Sequence, residues 1–583
     1  MTGPGTTTVG VLGLGTTGSA VTALLAANGF FVDTVERDSE ALWRGRNRVG
    51  EAVAALGLSD SDTAAARRRV SYTTGTTLLH RADVVIEAVP ERLSRKTAVL
   101  RQADELCPPW TVFVTTTTGL SVTEIASRSG RMARTVGLHL CHPDGLTGGT
   151  VVEVVHTPIT EAGVRRHMTE FVAGLGKSAV CVADHPGLLG GGLLLGYLNR
   201  AAVMYERNHA SRDDIDAAMT LGCGLRLGPL AQLDAMGLDV VVDSLQALAD
   251  RTGEGWYTPA GVLRRMVDAE LLGRKSGRGF YRYDTPDGTP AHAPDAAAGG
   301  CSVTSVGVVG SGTMAAGIAE VFARAGYPTT VAARTDTRAK TALSAVEASL
   351  VTAVRGHEID DDELDRTMAR LAGAGDLAAL GDCDLVVEAV AEDVVVKRGV
   401  FTGLDQVTRP GCVLATTTSS LPLLQLATAT SRPEAVLGMH FLNPAPVVDL
   451  VEVAHTALTA DEVVATALAV TRSLGKRAVR CGDRAGFIVN ALLFPYLNRA
   501  AHLARERNVD LDPIDAVLAG GYGFPTGPFR LLDTIGLDVS LAIQRRLHDS
   551  SRDAGLAPAR YLSDLVAAGC VGRGTARGFR HQT

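Results

Sequence analysis

Residues 10–30 read GVLGLGTTGSAVTALLAANGF, and residues 307–327 read GVVGSGTMAAGIAEVFARAGY. Each opens with a short apolar run, passes through a glycine-rich turn and continues in a helical pattern, which is how a parallel α/β sheet begins. The correspondence extends outward from this pair. ADVVIEAVPE (82–91) recurs as CDLVVEAVAE (383–392), VGLH (136–139) as LGMH (437–440), and VVEVVHT (151–157) as LVEVAHT (450–456). YLNRAA at 197–202 returns letter for letter at 496–501, and LGPLAQLDAMGLDV (227–240) pairs with TGPFRLLDTIGLDV (526–539). Colinear matches at offsets of 297 to 301 residues describe one unit present twice.

In the first copy, β-rich runs centre on 9–12, 31–35, 83–89, 111–115, 135–139, 151–155 and 179–183. They stop after about 186, and after about 485 in the second copy, where Leu- and Ala-rich helical stretches broken by Gly-Pro turns take over. The expected fold class is α/β: two tandem units, each a Rossmann-like, mostly parallel sheet followed by a small all-helical domain. The boundaries expected are a Rossmann dinucleotide-binding domain at 1–185 and a helical domain at 186–283. A Pro-, Gly- and Ala-rich linker at 284–302 then leads to a second Rossmann domain at 303–484 and a second helical domain at 485–583.

Composition narrows the function classes. The 583 residues correspond to about four domains at about 150 residues each. With 46% hydrophobic residues and a net charge of −7, the chain is not disordered and has no excess of basic residues for nucleic acid or an anionic membrane. The nine cysteines are odd in number, scattered and without a CxxC pair, which predicts reduced thiols and no metal site. The N-terminus lacks the basic segment of a signal peptide. The longest uncharged apolar stretch, PGLLGGGLLLGYLN (186–199), is shorter than the roughly 18 residues of a membrane span. A soluble cytoplasmic protein is expected.

GLGTTG (13–18) predicts a dinucleotide turn. Gly13 makes the tight bend, Gly15 admits a pyrophosphate against the backbone, and Gly18 lets helix and strand pack closely. Glu36, about twenty residues on, can accept from a ribose 2′-hydroxyl. An ordinary βα turn is the plainer alternative. The second copy has Gly310, Gly312 and Ala315 in GSGTMA (310–315), with Ala333 at the register of Glu36 and Arg334 after it. A guanidinium without a neighbouring carboxylate suits a 2′-phosphate, so the cofactor expected is NAD(P)(H), leaning to NADP(H) in the C-terminal copy.

The second copy also contains TTTSSL (416–421), MHFLNP (439–444), LVEV (450–453), GFIVN (486–490) and GYGFPTGPFRLLDTIGLD (521–538). Together these resemble the L-3-hydroxyacyl-CoA dehydrogenase family over nearly the whole chain, twice. The resemblance implies a Rossmann domain and a helical dimerisation domain that interconvert 3-hydroxyacyl-CoA and 3-oxoacyl-CoA with NAD(H). It places the catalytic residues on Ser419, His440, Glu452 and Asn490, and further nicotinamide-cofactor contacts on Glu392, Lys397 and Asn443. The chemistry agrees with these residue types. An imidazole titrating near neutrality exchanges the hydroxyl proton in either direction, and a carboxylate on its other nitrogen orients it. Serine hydroxyl and asparagine amide can donate to the substrate oxygens. Taken singly, each is equally a strand-end, turn or cap residue.

The first copy departs from this set. His139 and Glu153 remain, with two extra residues between them in CHPDGLTGGTVVE (141–153), which puts their distance in doubt. Thr118 stands for the serine, Gly191 for the asparagine and His142 for Asn443, and no neighbour in sequence replaces the lost amide. This copy is expected to be catalytically degenerate. Its tail GRKSGRGFY (273–281) keeps Lys275, a residue the resemblance brings near the cofactor, whereas GRGTARGFR (572–580) has Gly574 there. The family pairs two chains through helical domains, so an intramolecular pseudo-dimer is expected, with further homo-oligomerisation left open. The expected partner is an acyl-CoA or acyl-carrier thioester, neither nucleic acid nor membrane. Two alternatives stand beside this one: a related dehydrogenase of a free hydroxy acid, and a nucleotide-binding pseudoenzyme or scaffold.

Overall fold

The computed structural model describes residues 7–140, 149–283 and 300–580. The first sheet has eight strands: β1 (Thr8–Leu12), β2 (Phe31–Val35), β3 (Val70–Thr73), β4 (Val84–Glu87), β5 (Val112–Thr115), β6 (Thr135–His139), β7 (Val151–His156) and β8 (Ser178–Ala183). Their order is β3-β2-β1-β4-β5-β6-β7-β8. The second sheet repeats it with β9 (Val306–Val309), β10 (Thr329–Ala332), β11 (Leu371–Ala374), β12 (Leu385–Glu388), β13 (Val413–Thr416), β14 (Val436–Phe441), β15 (Leu450–His455) and β16 (Arg477–Gly482). Every pairing is parallel except β6 with β7 and β14 with β15.

The central strands are covered on both faces, so they read as unbroken apolar runs such as VVIE and LVVE. The strand order reverses between β1 and β4, and again between β9 and β12. That switch point is where an open α/β sheet leaves a crevice for a ligand. Strand β3 lies outside the β-rich runs of the sequence, because VSYT is short and half-buried at the sheet edge.

After β8 and β16 the chain is helical. The helix Gly191–Glu206 is buried on nearly every side, and so is its counterpart Val489–Arg507. Both run through the helical core along most of their length, the second ending in a charged last turn, and they pack against each other. Tyr197 meets Tyr496 at 6.1 Å, and Tyr496 stacks on Phe524 at 4.8 Å. Polar ties also cross between the copies. Arg507 donates to the carbonyls of Pro186 and Leu188, Arg499 pairs with Glu254 at 2.8 Å, and His209 Nε2 lies 2.9 Å from the Phe487 carbonyl.

Among the described residues, no helix is long and apolar enough to cross a membrane. The eight described cysteines are unbridged, and no cluster of metal-ligating side chains occurs among the described residues. His142 and most of the expected linker lie outside the described residues.

Candidate active site

Both glycine turns sit at the switch points. Gly13 has φ +92°, and a Cβ at Gly18 would come within 1.9 Å of the Gly13 carbonyl, so neither position tolerates a side chain without rearrangement. In the second copy Ala315 is accommodated in that third position and is fully buried. At Gly15 and Gly312 an added Cβ would meet nothing within 4 Å. Each of these two residues is the N-cap of a helix, Thr16–Ala27 or Thr313–Arg324, with no side-chain cap and no acidic residue in the first turn. Unpartnered first-turn N–H groups facing open space suit a pyrophosphate. The residues present therefore fit a dinucleotide.

The two turns differ at the residue that ends the second strand. Gly13 N–H donates to Val35 O, and Gly310 N–H to Ala332 O, both at 2.9 Å, so Glu36 and Ala333 hold the same register. Glu36 Oε1 accepts from the Leu14 amide at 2.6 Å. In the second copy no carboxylate stands at that register, and Arg334 is exposed beside it.

His440 lies near the end of β14 and Glu452 in β15. They are directly opposed in the antiparallel register, a placement that brings side chains on one face within contact. His440 Nδ1 is 2.6 Å from Glu452 Oε2. Glu452 is fully buried, and its Oε1 accepts from the Ile488 and Val489 amides at 2.9 Å each. The carboxylate is thus held at the start of the helix that carries Asn490. His440 Nε2 and the Asn490 amide have no hydrogen-bond partner among the described residues, and both side chains are nearly buried. Phe487 packs 5.5 Å from the imidazole.

A second polar cluster surrounds Glu392. Its Oε1 accepts from Thr418 Oγ1 at 2.6 Å and from the Ser419 amide at 3.1 Å, with Ser419 Oγ at 3.3 Å. Arg546, from the helix Leu537–Ser551, donates to Glu392 Oε1 at 3.3 Å, to its carbonyl at 3.0 Å and to Ser420 Oγ. Burial pushes the Glu392 carboxyl up. Lys397 beside it, the hydrogen bonds from Thr418 and the Ser419 backbone, and Arg546 outweigh burial and hold it below the ordinary value. Lys397 is fully buried and clamps Glu388 at 2.8 and 2.9 Å, with Glu392 at 3.5 Å. It thus anchors the loop from beneath. Asn443 is exposed after β14. The Ser419 loop and the His440 strand are joined by the Phe441 amide donating to Thr417 Oγ1 at 3.3 Å.

The structure revises one expectation for the first copy. His139 and Glu153 keep the directly opposed register despite the two extra residues, which are absorbed between β6 and β7. Their separation is 3.5 Å for another reason: Tyr522 of the second copy lies between them. A Cβ built at Gly191 would be 3.4 Å from the Tyr522 hydroxyl, whose single proton goes to Glu153, so the donor lost with the asparagine is not replaced there. Lys275 pairs with Asp239. No sequence signal singles out Arg546 or Tyr522, because both act on residues more than 100 positions away.

A doubly wound sheet with a glycine turn at its switch point is the mark of the dinucleotide-binding oxidoreductases, and it is present here twice. The chain belongs to the 3-hydroxyacyl-CoA dehydrogenase family: the NAD binding domain of that family matches residues 8–185 and 305–484, and its C-terminal domain matches 189–283 and 486–582. A 3-hydroxybutyryl-CoA dehydrogenase of Mycobacterium tuberculosis is 40% identical over 280 residues, 48% of this chain and 98% of that protein. The human mitochondrial hydroxyacyl-coenzyme A dehydrogenase is 35% identical over 284 residues, 48% of this chain and 90% of that protein. The crystal structure of 3-hydroxybutyryl-CoA dehydrogenase from Escherichia coli K12 covers 97% of this chain and 99% of its own at TM-score 0.65 and 22% identity, a likeness of fold.

Proposed function

We propose that the second copy is an NAD(P)-dependent 3-hydroxyacyl-CoA dehydrogenase, or 3-oxoacyl thioester reductase, and that the first copy does not turn over. The observation that carries this is the His440–Glu452 pair, in direct contact and with Nε2 unpartnered among the described residues, against a first copy in which the equivalent pair is separated. In reduction, His440 Nε2 gives a proton to the C3 oxygen. In oxidation it takes the proton back, and Glu452 on Nδ1 orients the ring and stabilises its charged form. Ser419 and Asn490 donate to the substrate oxygens, holding C3 in place and polarising the thioester-side carbonyl. A bound nicotinamide supplies or accepts the hydride at C3.

NADP(H) is the cofactor proposed for the second copy, on the ground that Arg334 comes after Ala333 where the first copy has Glu36. The pyrophosphate site proposed is Gly310, Gly312 and Ala315, with Gly13, Gly15, Gly18 and Glu36 its counterpart in the first copy. Glu392 and Asn443 are proposed at the nicotinamide end, with Lys397 holding Glu392. The division at 185, 283, 302 and 484, a cytoplasmic location and an intramolecular pseudo-dimer complete the proposal. The packing of Gly191–Glu206 on Val489–Arg507 supports the pseudo-dimer.

The test is the absorbance of the reduced nicotinamide with acetoacetyl-CoA, NADPH and NADH run side by side, on the full chain and on His440→Ala. Turnover that favours NADPH and is lost in His440→Ala is expected. Turnover favouring NADH overturns the cofactor assignment alone, and activity surviving in His440→Ala overturns the assigned base.

A further inference from the structure

Positions 223 and 522 are equivalent in the two copies, at the 299-residue offset of the segments on either side, and they carry different residues: Cys223 in LGCGL and Tyr522 in GGYGF. Each lies against the opposite copy. The helix Arg212–Cys223 packs on β15 and β16, and burial pushes the Cys223 thiol up to about 12, with the Glu452 carboxylate adding to it. A small side chain there leaves His440 in direct contact with Glu452.

At the other end of the molecule, the helix Leu511–Ala516 runs into a π-helical turn, Val517–Gly521. Such a turn re-aims the residues after it and is common where a helix serves a function. Its backbone docks on the start of β7, with the Thr150 amide donating to Gly520 O at 2.7 Å. Tyr522 comes next and enters the first copy. Its hydroxyl lies 2.7 Å from His139 Nδ1 and 2.8 Å from Glu153 Oε2. Gly190 leaves the room it needs: a Cβ there would come within 2.2 Å of the Tyr522 ring, whereas one on Gly191 would come within 2.7 Å of Thr118 Cγ2 and 3.4 Å of the Tyr522 hydroxyl. The second copy has Val489 and Asn490 at those positions. The position that carries the asparagine in the second copy thus lies against the Tyr522 hydroxyl in the first.

The hydrogen bonds form a chain of one direction. An ionised Glu153 only accepts, so Tyr522 donates to it, and the tyrosine oxygen accepts from His139 Nδ1–H. Nε2 is then the acceptor of the Thr118 hydroxyl. Both imidazole nitrogens are occupied, including the one that would face a substrate oxygen. Among the described residues, charged groups near these bonds include Glu91, which accepts from the Thr118 and Gly119 amides, and Arg507, bound to the Leu188 carbonyl.

We propose that Tyr522 is a plug supplied by the second copy: it converts the first copy's His139–Glu153 pair from an acid–base device into a latch between the copies, and the 223/522 difference decides which site stays open. This deepens the proposed division of labour between the copies, yet its test reads His139 directly and needs no turnover.

Diethyl pyrocarbonate acylates an imidazole nitrogen whose lone pair is accessible, and mass spectrometry of the full chain follows each histidine separately. His440 is expected to react at least ten times faster than His139, although the two are equally buried. Tyr522→Ala is expected to raise His139 reactivity at least tenfold while leaving that of His440 unchanged. Tyr522→Phe keeps the ring and loses the hydroxyl. It should lower Tm by a few degrees, and the loss should be non-additive with that of His139→Gln. Equal reactivity of the two histidines in the wild type, or His139 unchanged in a folded Tyr522→Ala, overturns the proposal. So does an additive cycle with Tyr522→Phe, which decides the matter if Tyr522→Ala does not fold.

Discussion

Glu452 shows how one side chain can serve two elements. One oxygen holds the imidazole, and the other accepts two amides at the start of the next helix. Glu452→Gln can still accept there but cannot stabilise a charged imidazole. We expect kcat to fall by about 10²–10⁴-fold with KM little changed, measured by steady-state turnover of acetoacetyl-CoA. Glu392 allows a prediction in pH. Its carboxyl is held below the ordinary value in the folded protein, so it contributes stability that is fully present above its unfolded value, about 4.3, and is lost as the pH falls through its folded value. The stability gap between wild type and Glu392→Gln, read from denaturant titrations, should be constant near neutrality and close below about pH 4.

At the scale of elements, the antiparallel step in an otherwise parallel sheet is what creates the geometry of the proposed acid–base pair. In the second sheet, the β14–β15 pairing sets a histidine and a glutamate face to face. The same step survives in β6–β7, so an insertion in the connecting loop leaves the register intact. Beneath the loop after β12, Lys397 and Glu388 form an ion pair excluded from water. Breaking one partner of such a pair leaves a buried charge. Lys397→Met is expected to cost about 3–5 kcal/mol of stability in urea titrations, a loss that a surface cofactor contact would not cause. Arg546 ties the helical region to the Rossmann loop through Glu392 and Ser420. Arg546→Ala should raise KM for the reduced nicotinamide several-fold, measured at saturating thioester.

For the whole molecule, the two helical regions share one apolar core, and half-buried arginines bind across it. A chain built this way unfolds as a unit. Calorimetry should show a single transition, and Arg507→Ala, which strands the Pro186 and Leu188 carbonyls, should lower its midpoint. Two separate transitions would mean that the copies fold independently.

Much of this was legible in sequence. The duplication, the strand–turn–helix order and the glycine turns depend on local pattern and spacing, and the structure places them where those patterns imply; His440 and Glu452 were singled out by the family resemblance, and the structure sets them in contact. The edge strand Val70–Thr73 was not legible, because a half-buried four-residue run carries little periodicity. Nor was the state of the first copy's pair: its residues are retained and its register is intact, so sequence alone traced the doubt to the inserted loop. The sequence by itself determined that there are two nucleotide-binding units and that only the second carries Ser419, His440, Glu452 and Asn490 together. Only the tertiary structure decided that Tyr522 reaches Glu153 across 369 residues and that Arg546 reaches Glu392 across 154. The reason is physical. Periodicity and turn chemistry act over a few residues, whereas a side chain that fills another domain's site is selected by the shape and charge it meets there, and that meeting exists only once the copies have packed.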